Sequence, residues 1–153
     1  MRTRRNLLVL ISILLLHGSL AAADASFTGS WKLNAERSDI RKMPHEPYSV
    51  LKIEQTGNLL HVSAQDTAKK AVEWRCTTDG KEARYKIGDE SMSSILKWEG
   101  SALLINTLVN GRAVNHAEMD RWKLSRDGAT LTIRRQVETP NGEAESTLVY
   151  EKQ

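Results

Sequence analysis

The 153 residues carry 22 Lys and Arg against 19 Asp and Glu, a formal net charge of +3, and acids and bases are interspersed along the chain. This balance argues against the strongly basic surface typical of nucleic-acid-binding proteins. The only cysteine, Cys76, excludes an intramolecular disulfide, so packing and sheet pairing must stabilise the fold.

The first 25 residues contain the three parts of a secretory signal peptide. Three arginines lie within the first five residues, residues 7–16 are almost entirely apolar, and residues 21–25 are small apart from one Asp. The apolar run is too short for a membrane span, which needs about 20 such residues. We therefore expect residues 1–25 to be removed and the mature chain to be exported, periplasmic or secreted, without a membrane span. Residues 26–153 then form one domain with a net charge of +1, because the leader holds three Arg and one Asp.

Turn signals divide residues 26–153 into about ten predicted strands. Asn-Gly, Asp-Gly and related dipeptides recur along the chain and supply the positive φ angles of tight hairpin turns. Between them apolar and polar residues alternate, as in half-buried strands. The predicted strands are 27–33, 48–56, 59–65, 71–77, 82–87, 92–98, 101–108, 112–124, 129–138 and 143–151. An open sheet of this size would expose two long edges, so the pattern predicts an all-β, up-and-down antiparallel β-barrel.

One connection is long: residues 34–47 hold two prolines and many charges, and we predict a loop or a short helical lid there. In the predicted strand 112–124, His116, Glu118 and Asp120 share the nominally inward face. They either line a wet cavity or mark a β-bulge that turns them outward. A bulge, or an extension of the strand beyond the barrel, is favoured, because unpaired buried carboxylates are costly.

No catalytic signature is recognisable in the sequence. The mature chain has no Ser-His-Asp order, nucleophile elbow or phosphate-binding loop, so nothing in it indicates an enzyme or a cofactor. No two of its three histidines, His45, His61 and His116, stand at a metal-ligand spacing, so the sequence predicts no metal site.

The first predicted strand carries Gly29-Ser30-Trp31, and the last carries Leu148-Val149-Tyr150. This layout resembles the calycin group, the lipocalins and fatty-acid-binding proteins, and the segment 120–128 resembles small exported bacterial lipocalin-like proteins. The resemblance implies a barrel floor at Gly29 and Trp31 and an interior that takes small apolar or amphipathic molecules. It is incomplete, because the arginine that holds the ligand carboxylate in fatty-acid-binding proteins is replaced here by Leu148.

Five residues are candidates for a ligand pocket. Tyr150 carries over from the resemblance, and Arg135 shares a face with apolar neighbours, so together they are candidates for the polar end. In a second interpretation, which the sequence favours, Arg135 stacks on Trp31 at the barrel floor, where a cation–π contact would close the core. Trp74, Tyr85 and His116 fit either the pocket wall or the barrel core.

Two functions compete on the sequence alone. The first is an exported lipocalin-like barrel that binds a small, largely apolar or amphipathic molecule. The alternative is an envelope protein-interaction module whose barrel is a filled scaffold without a small-molecule ligand.

Overall fold

The computed structural model describes residues 25–40, 43, 45–111 and 114–153. The predicted signal peptide, residues 1–25, lies outside the described residues except for its last position. Ten strands are present, close to the predicted ones: β1 Gly29–Leu33, β2 Val50–Thr56, β3 Leu59–Gln65, β4 Ala71–Thr77, β5 Asp79–Ile87, β6 Glu90–Glu99, β7 Ala102–Asn110, β8 His116–Leu124, β9 Thr130–Thr139 and β10 Gly142–Lys152.

The strands form a single antiparallel sheet in the order β4-β3-β2-β1-β10-β9-β8-β7-β6-β5. The pairing of β1 with β10 joins the first strand to the last. The two edge strands of this order, β4 and β5, lie next to each other, so the sheet forms a nearly closed barrel. The predicted up-and-down antiparallel barrel is confirmed.

Alternation along each strand sends one set of side chains inward. In β3, for example, Leu60, Val62 and Ala64 are at most 1% exposed, whereas the residues between them are partly or fully exposed. Cys76 in β4 follows the same rule and is buried, as its strand position predicted. Desolvation raises the pKa of its thiol to about 11.

An aromatic group, here called the floor cluster, closes one end of the barrel and consists of Phe27, Trp31, Trp98 and Trp122. Phe27 stacks on Trp98 with ring centroids 5.7 Å apart and meets Trp122 edge-on at 5.8 Å. Trp31 is fully buried, and its Nε1 donates a hydrogen bond to the carbonyl oxygen of Phe27 at 2.9 Å. These contacts tie the segment before β1 to the interior of the barrel.

Gly29 allows a lysine to cover the floor cluster. Its φ angle is +153°, and a Cβ at this position would lie 2.9 Å from Cε of Lys152. Lys152 passes this backbone with its Nζ 5.4 Å from the centroid of the Trp31 ring, within cation–π range. A larger residue at position 29 would displace this lysine.

The described part of residues 34–47 is a loop with one turn, and it contains no helix. Asp39 forms an isolated antiparallel bridge with Thr147, which holds the first half of the loop against β10. Residues 45–47, at the end of the loop, border the barrel cavity. Among the described residues no helix is long and apolar enough to cross a membrane.

Candidate functional site

A cavity of about 430 Å³ lies inside the barrel and reaches the end opposite the floor cluster. We call that end the mouth; Asp66 after β3, Glu90 at the start of β6 and His116 at the start of β8 line it. The volume falls within the range of about 300–1,000 Å³ typical of small-molecule sites. The apolar part of the wall is formed by Leu51, Ile105, Val109, Ile133 and Leu148, among others. The interior is therefore open above its floor.

One side of the cavity is an aromatic wall of Tyr48, Trp74 and Tyr85. The rings of Trp74 and Tyr85 are nearly parallel, at 9°, with centroids 6.4 Å apart, and Tyr48 lies 6.0 Å from Trp74. The Tyr85 hydroxyl is 2.8 Å from Oγ of Ser94, which keeps the ring in place. Burial raises the pKa of Tyr85 to about 12, so this phenol is neutral at ordinary pH. The wall can stack on a flat apolar molecule.

A buried ion-pair group occupies the opposite side. Nε and Nη2 of Arg135 donate to the two carboxylate oxygens of Asp120, each at 2.7 Å. Nη1 of Arg135 lies 3.4 Å from Oε2 of Glu118. Burial alone would raise the pKa of Glu118, but Arg135 and hydrogen bonds from His45 and His116 outweigh it and lower that pKa to about 2. One guanidinium thus pairs with two carboxylate side chains of the protein itself.

Two interpretations of the sequence are wrong: the stacking of Arg135 on Trp31 and the β-bulge near Glu118. Arg135 does not stack on Trp31; Lys152 lies over that ring instead. Strand β8 has no bulge near Glu118, because its pairing with β7 and β9 runs without a register shift. The bulge argument assumed that buried carboxylates would be unpaired, whereas the neighbouring strand supplies the counter-charge.

At the mouth, two histidines meet one carboxylate. Nε2 of His45 lies 3.0 Å from Oε1 of Glu118, and Nε2 of His116 lies 3.2 Å from the same oxygen. The spacing of the histidines in the sequence did not indicate this group, because the fold brings these residues together from distant positions. His61 lies elsewhere, on β3, beside Glu54 and Glu73.

Tyr150 lines the cavity with only 1% of its surface exposed. Its hydroxyl donates to the carbonyl oxygen of Tyr48 at 2.9 Å, so its partner is the backbone at the end of the loop and not Arg135. Burial raises the pKa of Tyr150 well above its usual value. This bond joins β10 to the segment that enters β2.

The charged groups around the cavity are mostly acidic. Among the described residues, its lining contains a single guanidinium, that of Arg135, and five carboxylates: Glu46, Asp66, Glu90, Glu118 and Asp120. Since Arg135 is already paired with two of these carboxylates, the remaining three give the described part of the mouth a negative field. The described lining offers an anionic ligand no Lys or Arg side chain that is not already paired.

All five candidate pocket residues, Tyr150, Arg135, Trp74, Tyr85 and His116, line the cavity. Sequence reasoning missed His45, which lies near the end of the long loop. The only signal in the sequence was that this end of the loop precedes a predicted strand. That position did not indicate whether a side chain there points into the barrel.

No known family model matches the chain, and no curated protein is significantly similar to it. Solved structures with the same fold were found. A zebrafish ileal bile acid-binding protein, solved with cholic acid, is 17% identical over 84% of this chain and 100% of its own, with a TM-score of 0.60. A Schistosoma mansoni fatty acid binding protein, solved with arachidonic acid, is 14% identical over 86% and 99%, with a TM-score of 0.59.

A secretory abundant heat soluble protein of Ramazzottius varieornatus is 16% identical over 82% of this chain and 94% of its own, with a TM-score of 0.63. At such low identities these likenesses establish the fold. The chain has the ten-stranded barrel fold of the fatty-acid-binding proteins and other calycins, as its first and last strands suggested.

Proposed function

We propose that the mature chain is an exported binding protein for a small, largely apolar molecule whose polar end is neutral or cationic. The observation that carries this proposal is the open cavity of about 430 Å³, with an aromatic wall on one side and, on the other, an arginine already paired with two carboxylates of the protein. Export rests on the signal-peptide pattern of residues 1–25.

The apolar and aromatic part of the cavity supplies the affinity. Burying apolar surface contributes about 25 cal/mol per Å², and the stacked rings of Trp74 and Tyr85 favour a flat or ring-containing ligand. Two of the similar structures were solved with cholic acid and arachidonic acid, which supports a lipid-like ligand class for this barrel as well.

The charged side chains that line the cavity determine which charge the polar head group of a ligand can carry. A fatty acid anion would need a free cation, but Arg135 already makes two hydrogen bonds of 2.7 Å to Asp120. A carboxylate ligand would therefore have to displace Asp120 and would also meet the acidic mouth. A neutral or cationic head group meets neither obstacle.

Competition binding tests this selectivity. The polarity-sensitive neutral dye N-phenylnaphthylamine is bound to metal-free residues 26–153 and then displaced by dodecyltrimethylammonium or by dodecanoate. These two competitors have similar chain lengths and opposite head-group charges, and both are used below their micelle-forming concentrations. We expect dodecyltrimethylammonium to displace the dye at a concentration at least tenfold lower, a difference of about 1.4 kcal/mol.

Stronger displacement by dodecanoate would contradict the charge argument, because it requires an available cation in the cavity. Failure of the dye and of both competitors to bind would contradict the proposed function itself and would favour the scaffold alternative. The anionic dye anilinonaphthalenesulfonate, which adds a sulfonate to the same aromatic framework, provides a second matched comparison and should bind more weakly than the neutral dye.

A further inference from the structure

Three potential metal ligands converge at the mouth of the cavity. Nε2 of His45 and Nε2 of His116 lie 3.0 Å and 3.2 Å from Oε1 of Glu118. The donor atoms of these three residues all lie within 4.8 Å of one another. His45 belongs to the long loop, whereas His116 and Glu118 lie on β8, so the group forms only in the folded barrel.

These separations fit a tetrahedral transition-metal site. Zn²⁺ binds histidine nitrogen and carboxylate oxygen at about 2.0–2.2 Å, which places neighbouring ligand atoms of a tetrahedron about 3.3 Å apart. The two nitrogen-to-oxygen distances are close to that value. Small movements of the half-exposed His45 side chain would complete the geometry.

The outer nitrogen of each ring is already oriented. Nδ1 of His45 lies 3.3 Å from the carbonyl oxygen of Glu46, and Nδ1 of His116 lies 3.5 Å from that of Val114. Donation of Nδ1–H to a backbone carbonyl is the usual outer-shell contact of a metal-bound histidine, and it leaves the Nε2 lone pair free for the ion.

The nearby charges leave room for such an ion. Arg135 is the opposing cation, but its Nη1 approaches Oε2 of Glu118 at 3.4 Å, whereas both histidines face Oε1. Asp120 holds the same guanidinium with two further hydrogen bonds. The carboxylate of Glu118 can therefore bind an ion through one oxygen while the other stays with Arg135.

We propose that His45, His116 and Glu118 form a zinc-class binding site at the mouth of the cavity. Two imidazole nitrogens with one carboxylate oxygen select Zn²⁺ and related transition metals over Mg²⁺ and Ca²⁺, which prefer oxygen ligands. All three residues line the cavity, so the fourth position of a tetrahedral ion is left to water or to a group inside it. The proposal goes beyond the proposed function and does not rest on it.

Calorimetric titration with Zn²⁺ alone tests the site, using untagged residues 26–153, which contain all ten strands. We expect about one ion per chain, and at least tenfold weaker binding in His45→Gln and in Glu118→Gln. Because His45 is half-exposed on a loop, His45→Gln should unfold at the same urea concentration as the parent chain. His61→Gln is the matched control, since His61 lies near two carboxylates on another part of the barrel.

Titration with Mg²⁺ and with Co²⁺ completes the experiment. Mg²⁺ should not compete with Zn²⁺ for the site. Co²⁺ should give the visible absorption of a four-coordinate ion in the parent chain and in His61→Gln, but not in His45→Gln or Glu118→Gln. The proposal is overturned if Zn²⁺ does not bind, if His45→Gln and Glu118→Gln bind it as tightly as the parent chain, or if His61→Gln removes the binding. None of these readouts involves an organic ligand, so they fail independently of the dye experiment.

Discussion

Replacement of Trp31 by alanine tests whether the floor cluster holds the barrel together. The Trp31 side chain is fully buried, and removal of a buried Trp costs about 3–5 kcal/mol in a core that cannot collapse. Loss of the hydrogen bond from Nε1 to the carbonyl oxygen of Phe27 adds about 1 kcal/mol. The expected loss of about 4–6 kcal/mol is a large part of the 5–15 kcal/mol typical of a small domain.

Urea unfolding followed by circular dichroism measures this loss, with Trp74→Ala as the matched control. Trp74 is only half-buried and borders the cavity, so its removal enlarges an existing space and should cost only about 1–2 kcal/mol. If Trp31→Ala does not fold, Trp31→Phe keeps most of the ring and should cost about 1–3 kcal/mol. A loss below about 1 kcal/mol for Trp31→Ala, or one no larger than that of Trp74→Ala, would refute the role of the floor cluster.

Three further predictions concern the interior. Arg135→Met should lower the free energy of unfolding in urea by about 3–5 kcal/mol, because it leaves Asp120 buried without its partner. Adding Asp120→Asn should recover part of this loss, and additive effects of the two substitutions would contradict the pairing. Tyr150→Phe should lower the free energy of unfolding by about 1–3 kcal/mol, because the carbonyl of Tyr48 loses its hydrogen-bond donor. An unchanged urea midpoint would show that this carbonyl is hydrogen-bonded to water instead. Cys76, with a pKa of about 11, should react with iodoacetamide at pH 8 only after unfolding, and rapid reaction in the native protein would show that the thiol is accessible.

The strands could be predicted because their signals are local. Turn dipeptides and the alternation of apolar with polar residues act within a few positions, and they located all ten strands to within a few residues. The start of β8 was the least accurate: the prediction began at residue 112, whereas the described strand begins at His116. Residues 112 and 113 lie outside the described part of the chain.

The polar interior could be predicted only in part, because its partners are distant in sequence. Alternation placed Glu118 and Asp120 on the inward face, but it could not show that Arg135, from the next strand, pairs with both of them. His45 and Glu118 are 73 positions apart, so no spacing rule could pair them. Whether Arg135 or Lys152 covers Trp31 depends on barrel closure between β1 and β10, which is a property of the whole fold.

The most direct test of the proposed function compares the same substitution inside and outside the barrel. Ile105 of β7 lines the cavity, whereas Ile95 of the neighbouring β6 is 40% exposed. Ile105→Trp should fill part of the cavity and weaken binding of N-phenylnaphthylamine at least tenfold, or about 1.4 kcal/mol. Ile95→Trp should leave the affinity unchanged. Equal affinities in the two variants, with both folded as judged by urea unfolding, would contradict binding inside the barrel.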